Sequence, residues 1–298
     1  MKLEERVLKS ELLKKCFFTA FSAYAAFHFS NTQPAFAQPS SEAMYHFLVG
    51  NLQRKNDDLD AAFRSYLKAY NLEPHSATIC NSIGEVLFED GKFDFAFLYF
   101  RDAVNIDREY LPAHRNLASY HLVKFDYPKL LFEAEFILSR KPDDTTALRY
   151  AGDATFHMKR YDESKEYFKK IISLDKNDPD VMYAYHKLGL LTFEEEKFKD
   201  AIDLLKKSTS MADKENPADR MIAYRSYFFI SLSQYIMKDY DEALDSLTRL
   251  IKSLLGEKDK EVSKEVIEMI EESRLMERID EAIQKKNRKI RPKKAITK

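Results

Sequence analysis

His114 and His121 stand seven residues apart on one stretch of chain, and His157 follows in the next, so an imidazole metal site is the first chemistry to weigh. The wider signature of such a site is missing. There is no His-Glu-x-x-His, no glycine-rich phosphate loop, no Gly-x-Ser-x-Gly elbow and no paired-cysteine metal spacing. The competing reading makes these histidines packed or hydrogen-bonded groups of a core. On that reading the expectation is a protein that is not an enzyme, with no catalytic residue, no metal and no cofactor.

A second set of residues carries recognition chemistry and recurs at a fixed interval. Gly50, Gly84, Gly152 and Gly189 are spaced by 34, 68 and 37 residues. Three residues before this position stand Phe47, Asn81, Arg115, Arg149, His186 and Phe228, and one after it Asn51, Glu85, Ser119, Asp153, Leu190 and Leu232. Four after it come Arg54, Phe88, Leu122, Phe156, Phe193 and Tyr235. Residues at such offsets share one helix face, so the chain is expected to present an apolar ribbon beside a polar ladder. Aromatic and Arg side chains are the types enriched in binding hot spots. The alternative makes the ribbon packing between neighbours, with Arg115–Glu85 and Arg149–Asp153 as solvated ion pairs.

The elements that position these residues follow from the same period. Leu59, Phe93, Tyr127, Tyr161, Phe198 and Tyr240 lie nine residues after the glycine position, in steps of 34, 34, 34, 37 and 42. A small residue usually follows at the third place (Ala62, Ala96, Ser164, Ala201, Ala243) and a bulky one four further on (Tyr66, Phe100, Phe168, Leu205, Leu247). Each column is expected to be core, so Tyr161→Ala is expected to cost about 3 to 5 kcal/mol. Gly costs about 1 kcal/mol relative to Ala inside a helix, and close approach of the paired helix would offset that. In the third repeat the order is reversed: Leu130 takes the small place and Ala134 the bulky one, which reads as compensated packing.

This pattern resembles the tetratricopeptide repeat family, carried by Val49-Gly50, Ala62, Tyr66 and Pro74, by Ile83-Gly84, Leu87, Ala96 and Phe100, and by Leu188-Gly189 with Ala201. The resemblance covers residues 43 to 257. It implies an all-α, right-handed superhelical solenoid of six helical hairpins, with repeats at about 43–76, 77–110, 111–144, 145–178, 182–215 and 224–257. It also implies that the first helix of each hairpin lines a concave groove able to hold a peptide segment. The residues expected to bind a partner are Asn51, Asn81, Glu85, Arg115, Leu122, Arg149, Asp153, Phe156, His186 and Phe193. The chaperone-binding clamp of some relatives matches here only at Asn51, with Phe47, Glu85, Pro112 and Asn116 at its other places, so a Glu-Glu-Val-Asp-type peptide is not expected.

Two interruptions refine the array. The fifth repeat is entered through Asp178-Pro179-Asp180, three residues longer than the period requires, and the sixth through Asn216-Pro217-Ala218-Asp219, eight longer. Asn216 suits an N-cap and Pro217 the first helical position, so a helix from Pro217 to about Met237 is expected to run two turns longer than its counterparts. From Glu261 to Gln284 apolar residues recur at three- and four-residue steps, which predicts one amphipathic helix over 258–284 capping the end of the array, or binding a partner through the same stripe.

The termini carry the remaining expectations. Residues 1–15 hold five basic and three acidic side chains, Cys16–Phe29 is a 14-residue apolar stretch, and Ala35-Phe36-Ala37 matches a small-x-small cleavage site. That order reads as a signal peptide over 1–37, hence export, with a bacterial periplasm favoured and an uncleaved membrane anchor as the alternative. The last 14 residues, from Lys285, contain eight Lys or Arg and no acid. They are expected to form a basic disordered tail over 285–298, or else a tether to anionic envelope polymer or membrane headgroups. The sequence as a whole therefore points to a monomeric, non-catalytic scaffold that binds a protein or peptide segment and no nucleic acid.

Overall fold

The computed structural model describes residues 40–174, 179–213, 215–255 and 260–290, so the expected signal peptide over 1–37 and the end of the basic tail, 291–298, lie outside the described residues. Six helical hairpins follow one another. They are α1 (Ser41–Lys55) with α2 (Leu59–Leu72), α3 (Ala77–Glu89) with α4 (Phe93–Ile106), and α5 (Leu111–Val123) with α6 (Tyr127–Arg140). Then come α7 (Thr145–His157) with α8 (Tyr161–Leu174), α9 (Pro179–Glu194) with α10 (Phe198–Met211), and α11 (Pro217–Ile236) with α12 (Tyr240–Leu255). Two further helices, α13 (Lys260–Ser273) and α14 (Leu275–Ile290), close the order. Each even helix packs on its own partner and, through the fifth hairpin, on the next odd helix. From α3 to α13 successive odd helices also pack on one another, so the odd helices form the inner row of the stack. The architecture is an all-α solenoid of hairpins whose core runs along the stack.

The turn within each hairpin is built the same way six times. The residue two places before each even helix is left-handed: Asp57 (φ 62), Gly91 (72), Phe125 (57), Lys159 (62), Glu196 (60) and Lys238 (68). In the second hairpin Gly91 N donates to Phe88 O at 3.0 Å and Lys92 N to Leu87 O at 2.8 Å, and the same pair of bonds recurs in the other five. This is the Schellman closure, which satisfies the last carbonyls of the odd helix. Asp58 and Asp126 then cap the following helices, accepting from Ala61 N at 3.0 Å and Lys129 N at 3.4 Å.

The glycines are explained by the bulky column rather than by backbone contact. A Cβ on Gly50 would lie 2.6 Å from the Tyr66 ring, on Gly84 2.5 Å from Phe100, on Gly152 2.7 Å from Phe168 and on Gly189 2.6 Å from Leu205. The small and bulky columns are buried as expected. The column nine residues after the glycine is not core, which corrects the expectation for it. These residues are the first of each even helix and sit at the hairpin tip, where Tyr161 is 39% exposed and the other five are half-buried. They cover the residue four after the glycine edge-on or tilted: Phe88 against Phe93 (4.9 Å), Phe156 against Tyr161 (5.8 Å), Phe193 against Phe198 (5.4 Å). A ring left partly in water loses less when truncated, so Tyr161→Ala is now expected to cost about 1 to 2 kcal/mol.

The two interruptions lengthen helices rather than loops. α9 has 16 residues and α11 has 20, against 13 for α3, α5 and α7. Asn216 caps α11, accepting from Ala218 N at 3.0 Å, and the first residues of α11 stand exposed. The single capping helix expected over 258–284 is instead two. The chain breaks at Arg274 (φ 50), where Ser273 Oγ accepts from Leu275 N at 3.2 Å. The reason is that α13 packs on α11 and α14 on α12, two surfaces that one straight helix cannot cover together. Val266, Leu275 and Ile279 are thereby buried with Tyr224, Phe228, Leu247 and Leu250. α14 stays helical to Ile290, so the boundary expected at Lys285 falls inside a helix.

Candidate partner-binding groove

The inner row brings the sequence-selected residues to one side, but it divides them into two groups. Asn81, Asp153 and His186 are buried between odd helices and are not presented to a partner, which corrects their expected role. Asn81 Nδ2 donates to Glu85 Oε1 at 2.8 Å and its Oδ1 accepts from Asn116 Nδ2 at 2.9 Å. Asp153 accepts from the Tyr183 hydroxyl at 2.6 Å and lies 3.0 Å from Lys187 Nζ. His186 Nδ1 is 2.7 Å from Ser226 Oγ, and burial pushes its pKa down to about 3, so the ring is neutral.

Joined end to end, these contacts form a polar spine that ties each odd helix to the next. Arg54 on α1 pairs with Glu85 on α3, Asn81 with Asn116 on α5, and Ser119 Oγ with the Tyr150 hydroxyl on α7 at 2.8 Å. Asp153 then reaches Tyr183 and Lys187 on α9, His186 reaches Ser226 on α11, and Arg225 reaches Glu265 on α13. A hydrogen bond donated to Glu89 and the charge of Glu85 hold Arg54 above its ordinary pKa against the cost of burial. The expected ion pairs Arg115–Glu85 and Arg149–Asp153 are replaced. Arg115 pairs with Asp144, the N-cap of α7, and Arg149 Nε lies 2.9 Å from Oδ1 of Asp180 in the first turn of α9. Each arginine thus meets the acid that also suits the positive end of the next odd helix.

The second group stays within reach of solvent. Asn51 is exposed, accepting from the Tyr66 hydroxyl at 2.7 Å, while Glu85, Arg115, Leu122, Arg149, Phe156 and Phe193 are half-buried. The Arg149 guanidinium lies 4.8 Å from the Tyr150 ring centroid, and Lys187 Nζ lies 4.8 Å from that of Phe156. The Nε–H groups of Arg115, Arg149 and Arg225 are themselves buried and lack an aligned hydrogen-bond acceptor. The Arg149 and Lys187 cations held over aromatic faces suit a carboxylate or a backbone carbonyl. Lys187 and Tyr183 belong to this surface, with Tyr150 buried beside Arg149, and all three escaped the sequence reading. Tyr150 and Lys187 share the place two before the glycine with Asn116, so the same period could have found them.

His114 and His121 are accounted for by packing, while His157 is exposed at the end of α7. His114 is buried with Nδ1 2.6 Å from Glu133 Oε2 and Nε2 3.0 Å from the Arg108 carbonyl oxygen, stacked on Phe136 at 3.9 Å. Burial opposes its charge, yet the bonds to Glu133 and Arg108 prevail and raise its pKa. His121 is buried and its pKa lowered by that burial, and His157 stacks on Tyr127 at 4.4 Å. Among the described residues no group of three or more His, Cys, Asp or Glu is placed to hold a metal ion.

Comparison with known proteins agrees with this geometry. The tetratricopeptide repeat family model matches residues 143–214. A solved tetratricopeptide repeat protein from Parabacteroides merdae superposes with a TM-score of 0.63 at 15% identity, covering 85% of this chain and 95% of that one. YrrB, described as a TPR protein with an unusual peptide-binding site, superposes with a TM-score of 0.50 at 14% identity, covering 68% and 97%. Human protein O-mannosyl-transferase TMTC3 is 21% identical over 221 residues, 58% of this chain, which spans only 24% of the length of that protein. The model match falls in the fourth and fifth hairpins and the same hairpin is repeated on either side, so the chain carries a solenoid array of the tetratricopeptide type.

Proposed function

We propose that this protein is a non-catalytic scaffold that holds an extended acidic or amphipathic segment of another protein along the inner row of odd helices. The observation that carries the reading is the alignment of Arg115, Arg149 and Lys187 beside Leu122, Phe156 and Phe193 on three successive odd helices. The cations set the register of the segment and the apolar ribbon supplies most of the affinity. The peptide site described for YrrB is in keeping with this use of the fold. Charge and burial then separate experimentally, with a partner identified by pull-down and measured by calorimetry. Arg149→Ala weakens binding chiefly at low salt, where charges act over about 10 Å or more. Phe156→Ala weakens it at every salt concentration, by about 1 to 3 kcal/mol. Unchanged affinity for both variants, with loss on deleting 285–298, moves the function to the basic tail.

We further place the protein in a bacterial cell envelope, on the strength of Cys16–Phe29 and Ala35-Phe36-Ala37. N-terminal sequencing of native material tests this. A start at Gln38 supports export, and an intact Met1 start in soluble cytoplasm overturns it.

A further inference from the structure

Among the described residues, the outer face of α1 has no preceding hairpin of the kind that covers the later odd helices. Five residues before the glycine position, Ile79, Ala113, Ala147 and Ala184 are buried against the preceding hairpin, and two after it so are Val86, Ala154 and Leu191. On α1 those two places hold Tyr45 and Leu52, 63% and 61% exposed, with Leu48 at 56% between them. The residue sizes also differ. Where one hairpin follows another the first place is Ile, Ala or Ser, whereas α1 carries Tyr, too large for that close approach. The face is therefore shaped for something other than a further repeat.

Its own pattern says what fits. Tyr45, Leu48 and Leu52 recur at steps of three and four, the seam along which two helices pack near 20°. Exposed Glu42 and Lys55 lie at opposite ends of the same helix. When such a helix pairs antiparallel with a copy of itself, about an axis beside Leu48, Tyr45 of each copy falls opposite Leu52 of the other. The same register sets Glu42 opposite Lys55, and the helix dipoles oppose favourably. At the far end, among the described residues, α13 and α14 cover the last hairpin, with their Val266, Leu275 and Ile279 buried against α11 and α12. Head-to-tail growth is thus closed off, leaving an isologous contact.

We propose that the outer face of α1 seats a second copy of this chain, α1 against α1 in an antiparallel two-fold dimer, in place of the monomer expected from the sequence. The test uses the full-length protein as isolated, its N-terminus read by mass spectrometry, in sedimentation runs over a concentration series. The wild type sediments as a concentration-dependent dimer, and Leu52→Glu, with an unchanged helical spectrum, raises the dissociation constant at least tenfold. Glu42→Lys weakens the dimer, and adding Lys55→Glu to it restores the wild-type constant. Leu48→Cys gives a disulfide-linked dimer on mild oxidation, above the wild-type blank that contains Cys16 and Cys80, while Phe132→Cys on α6 does not. A monomer throughout the series, whether its α1 face is bare or shielded by residues 1–39, overturns the proposal. So does a dimer indifferent to Leu52→Glu, and failure of the charge swap to restore binding overturns the antiparallel register.

Discussion

Hairpins three and four close with the same turn and the same helix lengths, yet they fill the crossing of their helices with opposite residues. In hairpin four the Phe168 ring lies over Gly152, leaving no room for a Cβ, and Ser164 sits beside it with its hydroxyl donating to Gly152 O at 2.8 Å. In hairpin three Ala118 replaces the glycine, Ala134 replaces the ring, and Leu130 fills the place of the serine, all three buried. What the repeat conserves is the volume at the crossing, and glycine is needed only where a ring or a leucine presses on it.

The largest effects should come from disturbing that volume. Phe168→Ala is expected to cost about 3 to 5 kcal/mol in urea unfolding, because the ring is fully buried and Gly152 cannot fill the void. Ala134→Phe in hairpin three should cost about 1 to 3 kcal/mol by overpacking against Ala118. Adding Ala118→Gly and Leu130→Ser to it converts hairpin three to the pattern of hairpin four and should recover most of the loss. If the triple variant is no better than Ala134→Phe, the exchange of volumes is not the reason for the reversed order. Since contacts are local in a solenoid, hydrogen exchange should show each loss first in the altered hairpin and its neighbours.

The two regions also titrate in opposite senses. The raised pKa of His114 in hairpin three means that its pairing with Glu133 stabilises fully below about pH 6.5, the ordinary imidazole value, and is lost as pH rises through the folded value. His157 in hairpin four is lowered by burial, and His186 in the next hairpin falls to about 3. At His186, which is buried, the neutral imidazole stabilises above pH 6.5 and loses about 1.4 kcal/mol per pH unit as pH falls toward the folded value. His186→Gln should therefore flatten the acid limb of the stability profile, and His114→Gln the decline above pH 6.5. Exchange of these two outcomes would mean that the charge states are misassigned.

The smallest effect lies in the turns. Phe125 and Lys159 occupy the left-handed position that Gly91 fills in hairpin two, and Phe125 is 73% exposed there. Phe125→Gly and Lys159→Gly should each stabilise by up to about 1 kcal/mol, since an L-residue is strained at positive φ and neither side chain is core. A loss in both would show that the side chains hold the turn.

The parts of this account that were legible in sequence are those set by contacts inside one hairpin. Gly152, Ser164 and Phe168 announce their crossing because the three volumes must add up within 17 residues. The left-handed turn position was hidden, because five of its six occupants are not glycine and the geometry is enforced by backbone hydrogen bonds. The tip column is not distinguishable from core in the sequence, because a recurrent aromatic looks the same whether it fills a core or covers a helix end. The ion pairs expected at Arg115 and Arg149 differ for another reason: both reach acids at the start of the next odd helix, and which acid is nearer depends on how hairpins stack. The break at Arg274 likewise follows from two receiving surfaces on α11 and α12 that no local pattern describes.

The central claim is that a partner segment lies along the inner row, and site-specific photo-crosslinking in the native host tests it most directly. A photoreactive phenylalanine analogue placed at Leu122, Phe156 or Phe193 should each capture the same protein, with crosslinked peptides from one contiguous segment of it. The same analogue at Phe132, exposed on an even helix, should capture none of it. Capture of that protein from Phe132 but not from the three inner positions would contradict the account.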